Sequence, residues 1–415
     1  MPEMNRRKFL TASIGAGAAG LLAGVASCSM SDLQRATEQR KLGDGEGVLV
    51  IVTLYGGNDG LSTVIPFADN AYHDARPDLA YAPEEVIALD SQLGLNPALK
   101  GLHGLWTQQK LAIVRGVSYP KPNRSHFRSM DIWQTASPDK PVPTGWIGRW
   151  LDATGDDPVR AINIGAVLPV MAVGEKHTAS ALARDSSPMP DDVANALETL
   201  GIDDSRDTKP MSSVRAAYRS SRTFGAALEP VLANGNTGVS LDTNTGGLTK
   251  SSAKNGENPL STQLNVVGKC IAAALPTRVY MVSLGGFDTH ADEREPQQDL
   301  LGAVDDALTP FLRAMSSDVH GKDVVVMVYS EFGRRVEANA SQGTDHGTAG
   351  PVFIAGQPVK GGFYGEQPSL TDLDDGDLKG STDFRDIYHE LLDRTIGTDP
   401  APAVGPGRRP VGFLA

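Results

Sequence analysis

The residues best suited to chemistry sit in short polar stretches next to apolar runs. Asn58-Asp59-Gly60 follows the run Val48 to Leu54, and Arg124, Ser125, His126 and Arg128 follow the run at 110–116. Asp288-Thr289-His290 follows 278–284, Ser330-Glu331 follows 323–329, and Asp345-His346 sits just before the run at 351–356. Carboxylates and imidazoles from separate loops suit a divalent ion such as Zn²⁺, Mn²⁺, Mg²⁺ or Ca²⁺, and the lack of cysteines among them argues against a structural zinc. The chain has only eight histidines, so His346 beside Asp345 in a glycine-flanked turn points to a ligand. It would converge with Asp288 and His290. Gly343 and Gly347 would let the backbone turn tightly enough to aim the ring, and Asp345 would orient it from behind rather than ligate. Each residue alone also has an ordinary reading. Asp59 fits a turn, Asp288 a helix cap, and Glu331 a partner for Arg334 or Arg335.

Elements must bring these loops together. The runs "VLVIVTL", "KLAIVRG", "AINIG", "RVYMVSL", "DVVVMVY" and "PVFIAG" are apolar on both faces, as in strands covered on both sides by helices. Between them lie helical patterns at 96–109 and 297–315, and a last one at 382–397 expected to be capped by Ser381 or Thr382 and stopped by Gly397. This alternation predicts an α/β sandwich with a mostly parallel central sheet. In such sheets the ligand site lies beyond the carboxyl ends of the strands, where the acids and histidines gather. Residues 179–260 break the rhythm with helical candidates and a Gly/Asn/Ser/Thr-rich stretch, and read as a helical insertion followed by a loop. The acidic run "TDLDDGDL" at 371–378 lacks the spacing of a calcium loop and reads as a solvated loop.

The start of the chain reads as a targeting segment. Arg6-Arg7-Lys8 precedes an apolar stretch from Leu10 to Ala26, the order of a signal peptide, and Asn5-Arg6-Arg7-Lys8-Phe9-Leu10 resembles a twin-arginine export signal. Val25-Ala26-Ser27-Cys28 resembles a lipobox, which makes Cys28 a candidate lipidation site and residues 29–46 a tether. The expected location is the periplasm or cell envelope, with the export machinery and the membrane as partners. The other cysteine, Cys270, lies in an apolar helical stretch and reads as a buried small hydrophobe. The formal net charge is −12, and nothing in the sequence supplies the concentrated basic face that nucleic acid requires.

"NDG" after the first strand, Ser125 at the head of a helix, "GGFDTH", "SEFGRR" and "GTDHG" together resemble the domain of unknown function 1501 family, within the alkaline phosphatase superfamily, over nearly all of residues 47–400. That resemblance implies a three-layer sandwich and metal-dependent hydrolysis of phosphate, sulfate or related esters. Carried over by position, it implies Asp59, Asp288, His290, Glu331 and His346 as metal ligands and Ser125 as nucleophile with His126 beside it; the nearby Arg124 or Arg128 would then hold the substrate anion. Phe332 departs from the pattern by standing where the superfamily has a ligating histidine, and the sulfatase Cys-x-Pro-x-Arg signature is absent. The competing reading is a surface protein that keeps the fold without catalysis and binds glycans or partner proteins.

Overall fold

A computed structural model describes residues 40–155, 159–165, 167–182 and 258–415. The export signal, Cys28 and most of the expected insertion lie outside these residues. The principal strands are β1 (Val48–Tyr55), β2 (Leu111–Ser118), β3 (Ala161–Ile164), β4 (Ser180–Leu182), β5 (Val279–Gly285), β6 (Val324–Ser330), β7 (Arg334–Ala338), β8 (Thr344–His346), β9 (Gly350–Ala355), β10 (Gly362–Tyr364) and β11 (Thr382–Asp383). The helices that matter here are α1 (Gly60–Thr63), α2 (Asn70–Ala75), α3 (Lys100–Thr107), α4 (His126–Thr135), α5 (Trp146–Thr154), α6 (Pro259–Ala272), α7 (Arg294–Ser317) and α8 (Phe384–Glu390).

Nine strands form one sheet in the order β10-β2-β9-β6-β1-β5-β3-β4, with β11 also paired to β2. β1 lies at its centre, with Val52 opposite Val282 of β5 and Val328 of β6, both parallel. Among the described residues of this sheet, only β9 runs antiparallel, against β2 and β6. Its reversal brings the segment before it, which carries Asp345 and His346, to the carboxyl ends of the other strands.

Alternation along β1 builds both hydrophobic layers, because successive side chains leave a strand on opposite faces. Val48, Val50 and Val52 pack with Leu264 and Val267 of α6 and Leu300, Val304 and Leu308 of α7. Leu49 and Ile51 pack with Trp133 of α4, Trp146 and Trp150 of α5, and Tyr388 of α8. The molecule is thus a helix–sheet–helix sandwich. Cys270 is buried in the first layer, and burial pushes its thiol up to about 12.

Four expectations change in detail. Residues 180–182, placed within the insertion, form the edge strand β4. Leu42, placed in the tether, is buried, and its amide donates to the Ala274 carbonyl. The last helix is capped by Asp383, whose carboxylate accepts from the Arg385 amide, rather than by Ser381 or Thr382. The acidic run is a hairpin, Leu373–Asp374 paired with Asp377–Leu378, in which Asp377 is buried.

Candidate metal centre

Asp288, His290, His126 and His346 come from the loop after β5, the start of α4 and the end of β8. Asp288 Oδ1 lies 3.0 Å from His346 Nε2, 3.0 Å from His290 Nε2 and 3.3 Å from His126 Nε2. The Nε2 atoms of His290 and His346 are 3.0 Å apart. Each of His126, Asp288 and His346 offers a donor atom within 4.8 Å of the other two. Donors around one zinc-class ion sit roughly 3.4 Å apart for metal–ligand distances near 2.1 Å, so these spacings are close to the required ones.

The outer nitrogens decide what the inner ones can do. His126 Nδ1 is 2.9 Å from Glu331 Oε1, and His346 Nδ1 is 2.8 Å from the Arg124 carbonyl oxygen. A carboxylate and a carbonyl only accept, so both rings carry their proton on Nδ1 and, when neutral, turn a lone pair inward from Nε2. His126 Nε2 is buried and has no hydrogen-bond partner. Lone pairs from two imidazoles facing a carboxylate oxygen repel one another unless a proton or a cation lies between them. The donor set therefore fits a divalent cation.

Asp288 is held ionised. Partial burial opposes its charge, but a hydrogen bond from His346, made when that ring carries a proton on both nitrogens, and the Arg334 guanidinium outweigh that and bring its pKa down to about 2. Arg334 is buried, and its Nη2 lies 2.9 Å from Asp288 Oδ1. Its other donors meet the carbonyls of Gly57 and Thr344, and Nη2 also meets that of Phe287. Phe332 walls one side, its ring centroid 4.9 Å from that of His126 and 4.8 Å from that of His346. Asp288 and His290 are 48% and 44% exposed, so the opposite side opens to solvent.

Gly343 and Gly347 matter for close approach rather than for an unusual φ. A Cβ at Gly343 would lie 2.3 Å from the His290 carbonyl carbon, and one at Gly347 would lie 2.5 Å from that of Arg334. Neither adopts a positive φ.

Several expected site residues have other partners. Asp59 is fully buried, and both its oxygens bond the Arg76 guanidinium, Oδ1 at 3.1 Å from Nη2, while Oδ1 also caps α1 at the Leu61 amide. This pairing commits both its oxygens to a buried cation instead of to the histidines. Glu331 is likewise enclosed. Oε1 accepts from the Gly56 amide as well as His126, and Oε2 accepts from Ser330 Oγ, so it braces a histidine instead of ligating.

Arg124 and Arg128 are not free to hold an anion. Arg124 bonds Asp377 and Asp375, and Arg128 bonds Asp131 and the Pro138 carbonyl. It is the Arg124 main chain that enters the centre. Asp345 stands 3.5 Å from Nδ1 of His290, so it faces that ring rather than the ring of His346. Ser125 is exposed at the extended N-cap of α4, and its hydroxyl makes no capping bond.

Two groups escaped the sequence reading. Arg76 follows α2 in a stretch with no motif. Glu293 precedes α7 and looks like an ordinary first-turn acid, yet it is buried and accepts from Thr344 Oγ1 at 2.6 Å. Burial and then the neighbouring Asp59 charge raise its carboxyl to about 8. Asp59 moves the other way. Burial opposes its ionisation, but the Arg76 charge prevails and lowers its pKa.

Among solved structures the chain is similar to a protein of the alkaline phosphatase superfamily from Vibrio parahaemolyticus, at 11% identity and a TM-score of 0.40, covering 97% of this chain and 78% of that one. It is also similar to the alkaline phosphatase of the Antarctic bacterium TAB5, at 12% identity and a TM-score of 0.32, covering 78% and 95%. A third likeness is to Ps i-CgsB in complex with k-i-k-neocarrahexaose, at 9% identity and a TM-score of 0.35, covering 76% and 67%. At these scores the likeness is distant, and the fold assignment stands on the sheet order itself. No curated protein matches the sequence. Residues 233–407 match the family model described as "Protein of unknown function (DUF1501)", a span that contains Asp288, His290, Glu331 and His346 but neither Asp59 nor His126.

Proposed function

We propose that the centre formed by Asp288, His126, His290 and His346 holds one divalent ion of the zinc class, and that the protein is a metal-dependent hydrolase of phosphate, sulfate or related esters. The observation that carries this reading is the convergence of three Nε2 atoms on Asp288 Oδ1, with two rings fixed from behind by acceptors. A set rich in imidazole favours zinc-class and other transition ions over Mg²⁺ and Ca²⁺. Such an ion, when bound, supplies Lewis-acid polarisation of an ester oxygen and acidifies a hydroxyl or water.

The chain's own groups have separate tasks. Glu331 and the Arg124 carbonyl keep His126 and His346 in one tautomer with Nε2 inward. Arg334 keeps Asp288 charged. Phe332 excludes water from one side. Ser125, one residue before His126, presents an exposed hydroxyl at the start of α4, where the helix dipole favours an anionic form.

A second reading has its own support. Arg124 and Arg128 are both paired with aspartates, so neither arginine waits for an anion, and Phe332 withholds a donor. A non-catalytic cell-envelope protein that keeps one ion and binds glycans or partner proteins would look the same. Metal analysis and hydrolysis assays separate the two. The first reading expects one transition ion per chain, lost in His346→Ala, and cleavage of aryl phosphate or aryl sulfate that also disappears in Ser125→Ala. A bound ion without cleavage of either ester favours the second reading, and a metal-free protein refutes the metal centre.

The site of action proposed is the cell envelope, reached through the twin-arginine signal and retained by lipid on Cys28. Arg6→Lys with Arg7→Lys should leave the precursor in the cytoplasm, and Cys28→Ala should move the mature protein to the soluble fraction. Normal export of the double-lysine form would remove the twin-arginine assignment.

A further inference from the structure

We infer that Asp377 is a positioning residue for this centre, acting through Arg124 on the tautomer of His346; the inference rests on the metal reading for its purpose, but its geometry stands apart from it. The acidic run 371–378, solvated over most of its length, closes as a hairpin rather than an open loop. Its turn, Asp375-Gly376, has both φ values positive, 51° and 84°, the conformation that joins two strands tightly in a hairpin. The hairpin turns Asp377 inward, where it is 1% exposed.

A carboxylate so buried needs cationic partners, and Asp377 has two. Arg124 Nε donates to Oδ2 at 2.7 Å, and Arg335 Nε donates to Oδ1 at 3.4 Å. Asp375 adds its carboxylate to Arg124 at 3.1 Å. The hairpin is also fastened beside the histidine, because Thr348 Oγ1 donates to the Leu378 carbonyl at 2.7 Å. One hairpin therefore grips both the loop that carries Arg124 and the segment that follows His346.

What this grip delivers is a carbonyl. Arg124 lies in an exposed loop whose base is tied by the Asn123 amide to Tyr119 Oη at 3.0 Å and by the Ser125 amide to Asn123 Oδ1 at 2.9 Å. The side-chain clamp adds a third tie at Arg124 itself. Its carbonyl oxygen is then held 2.8 Å from His346 Nδ1, where it accepts a hydrogen bond from the Nδ1 proton and leaves Nε2 free for the centre. Groups that fix a ligand histidine from behind typically matter ten- to hundredfold in metal affinity.

Two readouts test this in Asp377→Asn: the ring ¹⁵N shifts of His346 in the metal-free protein, and the affinity for Co²⁺. The wild-type ring should be protonated on Nδ1. The variant should populate the other tautomer and bind Co²⁺ roughly ten- to hundredfold more weakly. Asp372→Asn, on the same hairpin but paired only with exposed Lys379, should change neither. Should Asp377→Asn fail to fold, Arg124→Ala carries the same two readouts, because it leaves Asp377 paired with Arg335. Wild-type tautomer and affinity in the folded variant overturn the inference. A tautomer change in a protein that binds no Co²⁺ in any form upholds the positioning and refutes the metal reading.

Discussion

Replacing Glu293 with glutamine should make the protein less sensitive to pH, and the size of the effect follows from its surroundings. Glu293 sits beside the Asp59–Arg76 pair, where one cation serves two buried carboxyls. Asp59 keeps the charge, and Glu293 is pushed up from 4.5 to about 8. Below pH 4.5 the carboxyl is neutral in both folded and unfolded chains and costs nothing. Between the two values only the unfolded chain ionises, so stability falls by about 1.4 kcal/mol for each pH unit, and above about 8 the loss is complete. From pH 5 to pH 7.5 the decline is roughly 3 kcal/mol. The Glu293→Gln side chain would keep the shape and an acceptor for Thr344 but could not ionise. Urea unfolding of both proteins across that range isolates this group, because Asp59 stays ionised throughout it and titrations remote from Glu293 cancel in the difference. The variant should gain on the wild type by roughly 3 kcal/mol as the pH rises. A difference that stays flat would mean that Glu293 is not held neutral, and the account of why Asp59 is committed to Arg76 would fall with it.

Other substitutions probe the centre and its frame. Glu331→Gln puts an amide among three donors, so His126 loses its fixed tautomer, and metal affinity measured by competition with a chelator should fall roughly ten- to hundredfold. Gly343→Ala forces a methyl against the His290 carbonyl carbon at 2.3 Å; it should lower the unfolding midpoint and weaken metal binding together, and an unchanged Tm would show that the segment yields freely. Arg76→Ala leaves Asp59 buried and unpaired, which should cost about 3–5 kcal/mol in urea unfolding. A loss below about 1 kcal/mol would place the pair in a wetter setting than its complete burial implies.

Much of the architecture was legible in the sequence because burial leaves a mark on residue type. The run Val48 to Val52 is apolar without a break since both its faces are covered, and the same holds for Val324 to Tyr329. Acids and histidines after such runs could be assigned to one end of the sheet, and Asp288, His290 and His346 do meet there. Strand direction leaves no such mark. The antiparallel course of β9 follows from its neighbours and not from its own "PVFIA".

Charge partners were beyond the sequence for the same reason. Whether a carboxylate faces an ion, a guanidinium or a backbone amide depends on what the fold carries to within about 3 Å of it. Asp59 meets Arg76 at a separation of 17 residues, Glu331 meets His126 across 205, and Arg124 meets Asp377 across 253. The family resemblance placed Asp59 and Glu331 among the ligands, and residue type placed Arg124 over the substrate. Tertiary structure committed all three to neighbours that no spacing announces, and drew His126 into the centre. Composition and periodicity thus settled which residues lie at the rim of the sheet, because they record exposure to water. Only the folded chain decided which lone pairs remain free there, because that depends on which donors come within reach.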